Sequence, residues 1–416
     1  MHIIKKIGIL IFMPLQLLAQ QTEVLNLDSI VSKIEKNNLN LKSYDLRAES
    51  YKYKAEAGTA WMAPMVGAGT YMMPYPGQEV MDQDKGSLMF QLEQDIPNPA
   101  KLKAQKRYIE SQAEVEKASQ GVVLNELKAK AKNFYFSWIV AEQRIKILEE
   151  NDKILQTMNK IEKIRYPYNQ SQLGNVYRTS AKIDENRNMI RMQEGEISRA
   201  RSSLNSLMNR YGDTHFRIDT SYKLHFIPSH GHEHDTTLLA SSRKDIHRMD
   251  KTINSMQLNI KAMKQESKPD FRIRFDHMSP LGNLMPKSYS VMGMISIPIA
   301  PWSSKMYKSE VKAMQYDIEA MQKEREAMLQ ETQGMLYGMQ YQIEAMEKRV
   351  KVMEEKIVPS LRKNMEANFL SYQENKTDLP AVLDSWEALT MMQMDVLDEK
   401  LKLYLMIIEH EKELYR

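Results

Sequence analysis

Between Ser87 and Ile96 the side chains alternate. Leu88, Phe90 and Leu92 fall on one face of an extended chain, and Met89, Gln91, Glu93 and Asp95 on the other. Residues 270–277 repeat the pattern, with Phe271, Ile273 and Phe275 opposed by Arg272, Arg274 and Asp276. Residues 289–297 set Tyr289, Val291 and Ile295 against Ser290, Met292, Met294 and Ser296. A weaker copy at 65–73 has Gly67 and Gly69 on one face. The connecting stretches 74–86 and 278–287 hold Pro, Gly, Asn and Asp, the residues of turns. Strands of about 9–11 residues, apolar on one side only, suit the wall of a membrane barrel. An ordinary half-buried soluble sheet gives the same alternation.

Elsewhere the period is helical. From Lys101 to Arg165 there is no proline and one glycine, Gly121. Leu124, Leu127, Ala131, Phe134, Trp138, Ala141, Ile145, Leu148 and Leu155 keep a three–four spacing that only Asp152 interrupts. A helix of that length reaches about 100 Å. Val176, Ile183, Ile190, Ile197 and Leu204 then recur every seven residues, as do Val382, Leu389, Val396 and Leu403. Such narrow seams pack as coiled coils. A long helical array joined to a few strands is a conduit or a spacer.

The pattern occurs twice. Asn40-Leu41 corresponds to Asp245-Ile246, Ile96-Pro97 to Ile297-Pro298, and Tyr166-x2-Asn169-x3-Leu173-x2-Val176 to Tyr372-x2-Asn375-x3-Leu379-x2-Val382, at offsets of 205, 201 and 206 residues. Each half therefore reads helix, strand, loop, strand, long helix, turn, long helix. The expected division is 1–19 as a signal peptide, 20–210 and 241–416 as the repeats, and 211–240 as an irregular, His-rich linker. The first repeat holds strands 65–73 and 87–96 and helices 101–165 and 172–210. The second holds strands 270–277 and 289–297 and helices 302–371 and 378–414. The fold class is mainly α with a small β part. Four strands do not close a barrel, which takes about eight. In lipid, open sheet edges leave backbone groups unpaired. If the strands span a membrane, several chains share one barrel, and three would supply roughly twelve strands.

Composition narrows the class. Lys5 and Lys6, the apolar run Ile7–Leu18 and the small residue Ala19 make a secretory signal, too short for a membrane span of about 20 residues. No second apolar run of spanning length follows, so an exported chain that crosses a membrane does so as strands. There is no cysteine, which excludes disulfides, zinc-thiolate sites and a Cys nucleophile. The 58 basic against 54 acidic residues argue against nucleic-acid binding. No nucleophile–base motif, phosphate loop or zinc-protease motif appears, so neither catalysis nor a cofactor is expected.

With signal, twofold repeat and helical turns in view, the chain resembles the TolC-type outer-membrane efflux family. The most specific stretch is Tyr372-Gln-Glu-Asn-Lys-Thr-Asp-Leu-Pro-Ala-Val-Leu-Asp384, similar to the family's Tyr-x-x-Gly-x6-Val-Leu-Asp turn. Pro97 and Pro298, each followed by a basic helix start, also match. Asn169 and Asn375 stand where the family has its tip glycine, and asparagine is the best substitute in a left-handed turn. The resemblance implies a homotrimer in the outer membrane of a Gram-negative bacterium. Its twelve-stranded β-barrel would continue as an α-helical barrel through the periplasm. The implied function is passive export from a periplasmic adaptor protein and an inner-membrane pump of the resistance-nodulation-division type. Gln172, Leu173, Gly174, Asn375, Thr377, Asp378 and Leu379 would then meet the adaptor. Leu88, Phe90, Leu92, Phe271, Ile273, Phe275, Val291 and Ile295 would face lipid.

Cargo has two sequence clues. Met314, Met321, Met328 and Met335 fall seven apart, and after a four-residue step Met339, Met346 and Met353 do so again. The step is a stutter, which locally unwinds a left-handed supercoil. Thioethers select soft cations such as Cu(I), and Ag(I) should behave alike, so a stripe bordered by Asp317, Glu324 and Glu331 could pass such a cation along a pore, and heavy-metal cations are the expected cargo. Methionine is equally the adaptable filler of helix seams, which leaves drugs and other organic compounds as cargo. A spacer with no pore is the third reading. His230, His232 and His234 form a short tract of metal-binding composition in the linker, which the resemblance places outside the periplasmic barrel.

Overall fold

Two copies of one unit make up the chain. The computed structural model describes residues 23–222, 224–228, 235–298 and 300–415. The expected signal peptide and His230, His232 and His234 lie outside these residues. In chain order come β1 (Val24–Leu25), α1 (Leu27–Asn37), α2 (Leu39–Ala57), β2 (Met65–Tyr71), β3 (Ser87–Ile96), α3 (Pro99–Arg165) and α4 (Leu173–Leu207). β4 (Arg217–Ile218) and α5 (Thr236–Ser242) follow. The unit then recurs as α6 (Lys244–Lys264), β5 (Phe271–Pro280), β6 (Ser288–Ile295), α7 (Pro301–Val352), α8 (Val358–Gln373) and α9 (Leu379–Glu413).

Local chemistry sets the helix starts. Asn98 precedes α3, its side-chain oxygen accepts from the Ala100 N–H at 3.0 Å, and Pro99 takes the first turn, where its missing donor costs nothing. Asn38 caps α2 through the Asn40 N–H at 3.0 Å and donates to the Leu207 carbonyl at 2.9 Å, tying α2 to the end of α4. α3 runs 67 residues unbroken past Gly121. Its counterpart in the second repeat is interrupted. Residues Met353–Ile357 form a π-turn between α7 and α8, in which the Val358 N–H reaches the Met353 carbonyl. Pro359 explains it: a proline inside a helix offers no N–H to the preceding turn, and a wider turn absorbs the clash. The single helix expected over 302–371 is thus two. At the methionine stutter, where a disturbance was expected, α7 is regular.

The helices lie side by side. Towards the sheet the order is α2, α3, α6, α7; towards the far end it is α4, α3, α9, α8. The largest core sits at the waist, where Ile30 and Ile34 of α1, Tyr135 and Phe136 of α3, Leu204 of α4, Met208 and Phe216 are fully buried. The Tyr135 hydroxyl donates to the Asp219 carbonyl at 2.6 Å, and burial pushes its pKa up to about 12. The 211–240 stretch is more regular than expected. β4 pairs in parallel with β1, Arg217 on Val24 and Ile218 on Leu25, and α5 begins at Thr236. Two-residue strands are too short to show a period.

Candidate functional site

The main sheet has the order β2-β3-β5-β6, antiparallel throughout. Register puts Val66, Leu92, Phe275 and Val291 in one row across all four strands. The rows beside it on the same face hold Ala68, Phe90, His277 and Tyr289 on one side, and Gln94, Ile273 and Gly293 on the other. Ile96, Phe271 and Ile295 follow at the helix end. Leu88, Phe90, Leu92, Phe271, Ile273, Phe275, Val291 and Ile295 thus share one face, and each is 40–63% exposed. An apolar face left uncovered by the described residues asks for lipid or a partner.

The opposite face is ionic. Arg272 pairs with Asp95 at 2.5 Å and Glu93 at 2.8 Å, and Arg274 with Asp276 at 2.9 Å. Glu93 and Asp276 are nearly buried under these guanidinium groups, and Gln91 donates to Glu93 at 3.1 Å. Met89, Met292 and Met294 share that face. Trp61, Tyr75, Tyr289 and Trp302 are exposed at or beyond the strand ends. Tyr71 pairs with Ser87 and falls on the ionic face.

Where the strands meet α3, Asn98 donates to the Pro269 carbonyl at 3.0 Å, and Lys101 bridges Asp270 (2.7 Å) and Glu266 (3.2 Å). Burial disfavours the Lys101 charge, but the two carboxylates outweigh it and hold its pKa above the ordinary lysine value.

Two hairpin turns close the far end. Asn169 and Asn375 have φ of 54° and 60°, the left-handed region. Asn375→Gly is therefore expected to leave thermal stability within a few tenths of a kcal/mol, whereas Asn375→Val should cost about 1–2 kcal/mol by melting in detergent. Between the turns lies a cluster that sequence spacing did not reveal, since its members are some two hundred positions apart. Glu162 is 2% exposed and accepts hydrogen bonds from the hydroxyls of Tyr372 and Ser171. Arg165 donates to the carbonyls of Tyr372 (2.8 Å) and Gln373 (3.2 Å), its guanidinium 4.7 Å from the Tyr372 ring centre. Tyr372 is buried; its counterpart Tyr166 is exposed, so the repeats diverge here.

Gln172, Leu173, Gly174, Asn375 and Asp378 are exposed at these turns, and Thr377 is half-buried. Leu379 departs from the expected adaptor surface. At 1% exposure it belongs to the core of Leu155, Met158, Val382 and Trp386, because the first turn of α9 faces α3. Asp378 caps that turn through the Ala381 N–H at 3.4 Å.

The methionines do not form one exposed file. Met314 and Met353 are buried, Met321, Met328, Met339 and Met346 half-buried, and Met335 exposed. Met314 packs with Ile253, Ile260, Val311 and Ile318 against α6, and its sulfur accepts from the Asn259 amide at 3.3 Å. Met328 lies against Leu329 and Leu336, and Met346 against Ile343 and Val350. Asp317, Glu324 and Glu331 are exposed. Among the described residues no group of three or more His, Asp or Glu is placed to hold a metal ion, and no helix is long and apolar enough to cross a membrane.

No protein-family model and no curated protein matches the sequence. Solved structures do. The outer-membrane channel OprN superposes with a TM-score of 0.71 at 14% identity, over 93% of this chain and 89% of that one. CusC, in structures following folding and transmembrane channel formation, gives 0.73 at 16%, over 94% and 93%. The outer membrane protein VceC of Vibrio cholerae gives 0.68 at 12%, over 93% and 95%. This chain has the fold of the outer-membrane channels. The agreement extends over nearly the whole length of both partners, so sheet, long helices and hairpin turns all belong to it. The expected fold class, mainly α with four strands to a chain and two repeats, stands.

Proposed function

We propose that three copies of this chain form an outer-membrane exit duct of a Gram-negative bacterium. Cargo would arrive from a periplasmic adaptor and an inner-membrane pump of the resistance-nodulation-division type. The observation that carries this reading is the sheet: four strands, two open edges, and an apolar face that no other described residue covers. Joining β6 of one copy to β2 of the next removes every edge, and twelve strands lie within the range of known barrels. The ionic face of Arg272, Arg274, Glu93, Asp95 and Asp276 then lines the pore, and the helices extend into the periplasm. Gln172, Leu173, Gly174, Asn375, Thr377 and Asp378 form the adaptor-facing rim, with Leu379 as the anchor beneath it.

The test is fractionation of the mature protein with bilayer conductance. A heat-modifiable trimer extracted from outer membranes, conducting steadily in planar bilayers, is expected. A soluble periplasmic monomer would leave only the spacer.

For cargo, the burial of Met314 and Met353 supports packing over a ligand track. Leucine at Met321, Met328 and Met335 conserves volume and is expected to cost under about 1.5 kcal/mol in total fold stability while leaving efflux unchanged. Loss of tolerance to copper or silver salts alone, with dye and drug tolerance intact, would restore the soft-cation cargo.

A further inference from the structure

The two outermost helices of the sheet-side layer each carry a second, exposed seam. On α2 the residues packed against α3 are Leu41, Ala48 and Ala55, seven apart. Two positions before each stand Leu39, Leu46 and Tyr53, also seven apart and 60–74% exposed. A displacement of two residues is about 160° around a helix, so this large apolar stripe lies on the side away from α3. On α7, Val311 and Ile318 are buried against α6, and Arg325 pairs with Asp250 of α6 at 2.7 Å. Two positions after each stand Ala313, Ala320 and Ala327, all exposed and again about 160° from the filled seam. Gly334 continues the row, and a Cβ built on it meets no atom within 4 Å.

We infer that the stripe Leu39–Leu46–Tyr53 of one copy packs into the row Ala313–Ala320–Ala327 of the next, antiparallel, as the helical seam between protomers. This rests on the trimeric duct proposed above and names the contact that closes its helical part. Each stripe alone says little. Together they fit in four respects: large against small, the same seven-residue pitch, opposite sides of the layer, and continuity with the open sheet edges. α2 leads directly into the edge strand β2, and α7 leaves the edge strand β6. A join of β6 to β2 therefore brings α7 beside the next α2. Because the pitch is common to both, a shift of one heptad keeps large opposite small. Knobs entering holes built on alanine bring two helices close, which suits a watertight wall.

The absence of cysteine makes the test clean. Light scattering of the mature wild-type protein in detergent first reads its oligomeric state; a monomer there would sink the duct reading itself. Given a trimer, Leu46→Cys is combined in turn with Ala313→Cys, Ala320→Cys and Ala327→Cys, then mildly oxidised. At least one pair is expected to link most chains into dimers and trimers that reductant separates. Leu46→Cys with Glu326→Cys, about 100° further round α7, should stay at background. A stable trimer in which none of the three pairs exceeds that control, or in which Leu46→Cys alone links, would overturn the seam.

Discussion

Val291→Arg should stop the protein from assembling in the outer membrane, and Ser290→Arg should not. Val291 lies in the row Val66, Leu92, Phe275 and Val291, near the middle of the strands, on the face that its own chain leaves bare. If that row meets the hydrocarbon midplane, an arginine there costs about 2–4 kcal/mol per chain, and a trimer carries the penalty three times. Ser290 is the adjacent residue, points the other way, and pairs with Asp276 on the ionic face. In the proposed duct an arginine at 290 would face the water-filled pore and gain a carboxylate neighbour, Asp276. The measurement is the amount of heat-modifiable trimer in outer-membrane fractions. Equal loss in both variants would mean that the assigned strand faces are wrong, and equal tolerance would mean that the sheet never enters a bilayer. Ile273→Arg, one row nearer the helices, should behave as Val291→Arg with a smaller deficit.

The strands were legible because their two faces meet different surroundings. Leu88, Phe90 and Leu92 alternate with Gln91, Glu93 and Asp95: the first three share an exposed apolar face, while Glu93 and Asp95 meet the Arg272 guanidinium on the other. Where the contrast fades, so does the reading. β5 continues through Met278, Ser279 and Pro280, which look like a loop because the chain is about to turn at Gly282 and Asn283. Long-range pairings left no local trace. β1 and β4 are two residues each, and Glu162, Arg165 and Tyr372 meet only once both hairpins are folded. The methionine stripe shows a different limit. Spacing placed all seven on one side of a helix, but a helix seam is wider than a line. The same period accommodates Met314 inside the core and Met335 outside it. The π-turn was within reach, since Pro359 stands in plain view within an otherwise helical stretch.

The second large effect is expected at the hairpin tips. Tyr372→Phe should loosen the contact between the α3–α4 and α8–α9 ends and raise the single-channel conductance of the assembled duct, with membrane assembly unaffected. Glu162 is a carboxylate out of contact with water that relies on the hydroxyls of Tyr372 and Ser171. Removing one donor from a buried charged acceptor costs about 1–3 kcal/mol. The loss falls on the tips, because the waist and the sheet share no atoms with this cluster. Burial first, and the bond to Glu162 second, hold the Tyr372 phenol well above its ordinary range. A raised pKa means that the folded tip favours the neutral phenol. Its contribution is therefore complete below the ordinary value of about 10 and declines only as pH climbs through the folded-state value. Tip closure should accordingly be flat with pH across the neutral range in the wild type, a behaviour that a hydrogen bond from a titrating histidine would not give. Arg165→Ala removes the partner of two carbonyls and the cation over the Tyr372 ring, and should open the tip in the same direction. Because both substitutions act on one cluster, the double variant should conduct little more than the stronger single one. Conductances that simply add would mean that the two residues hold separate contacts.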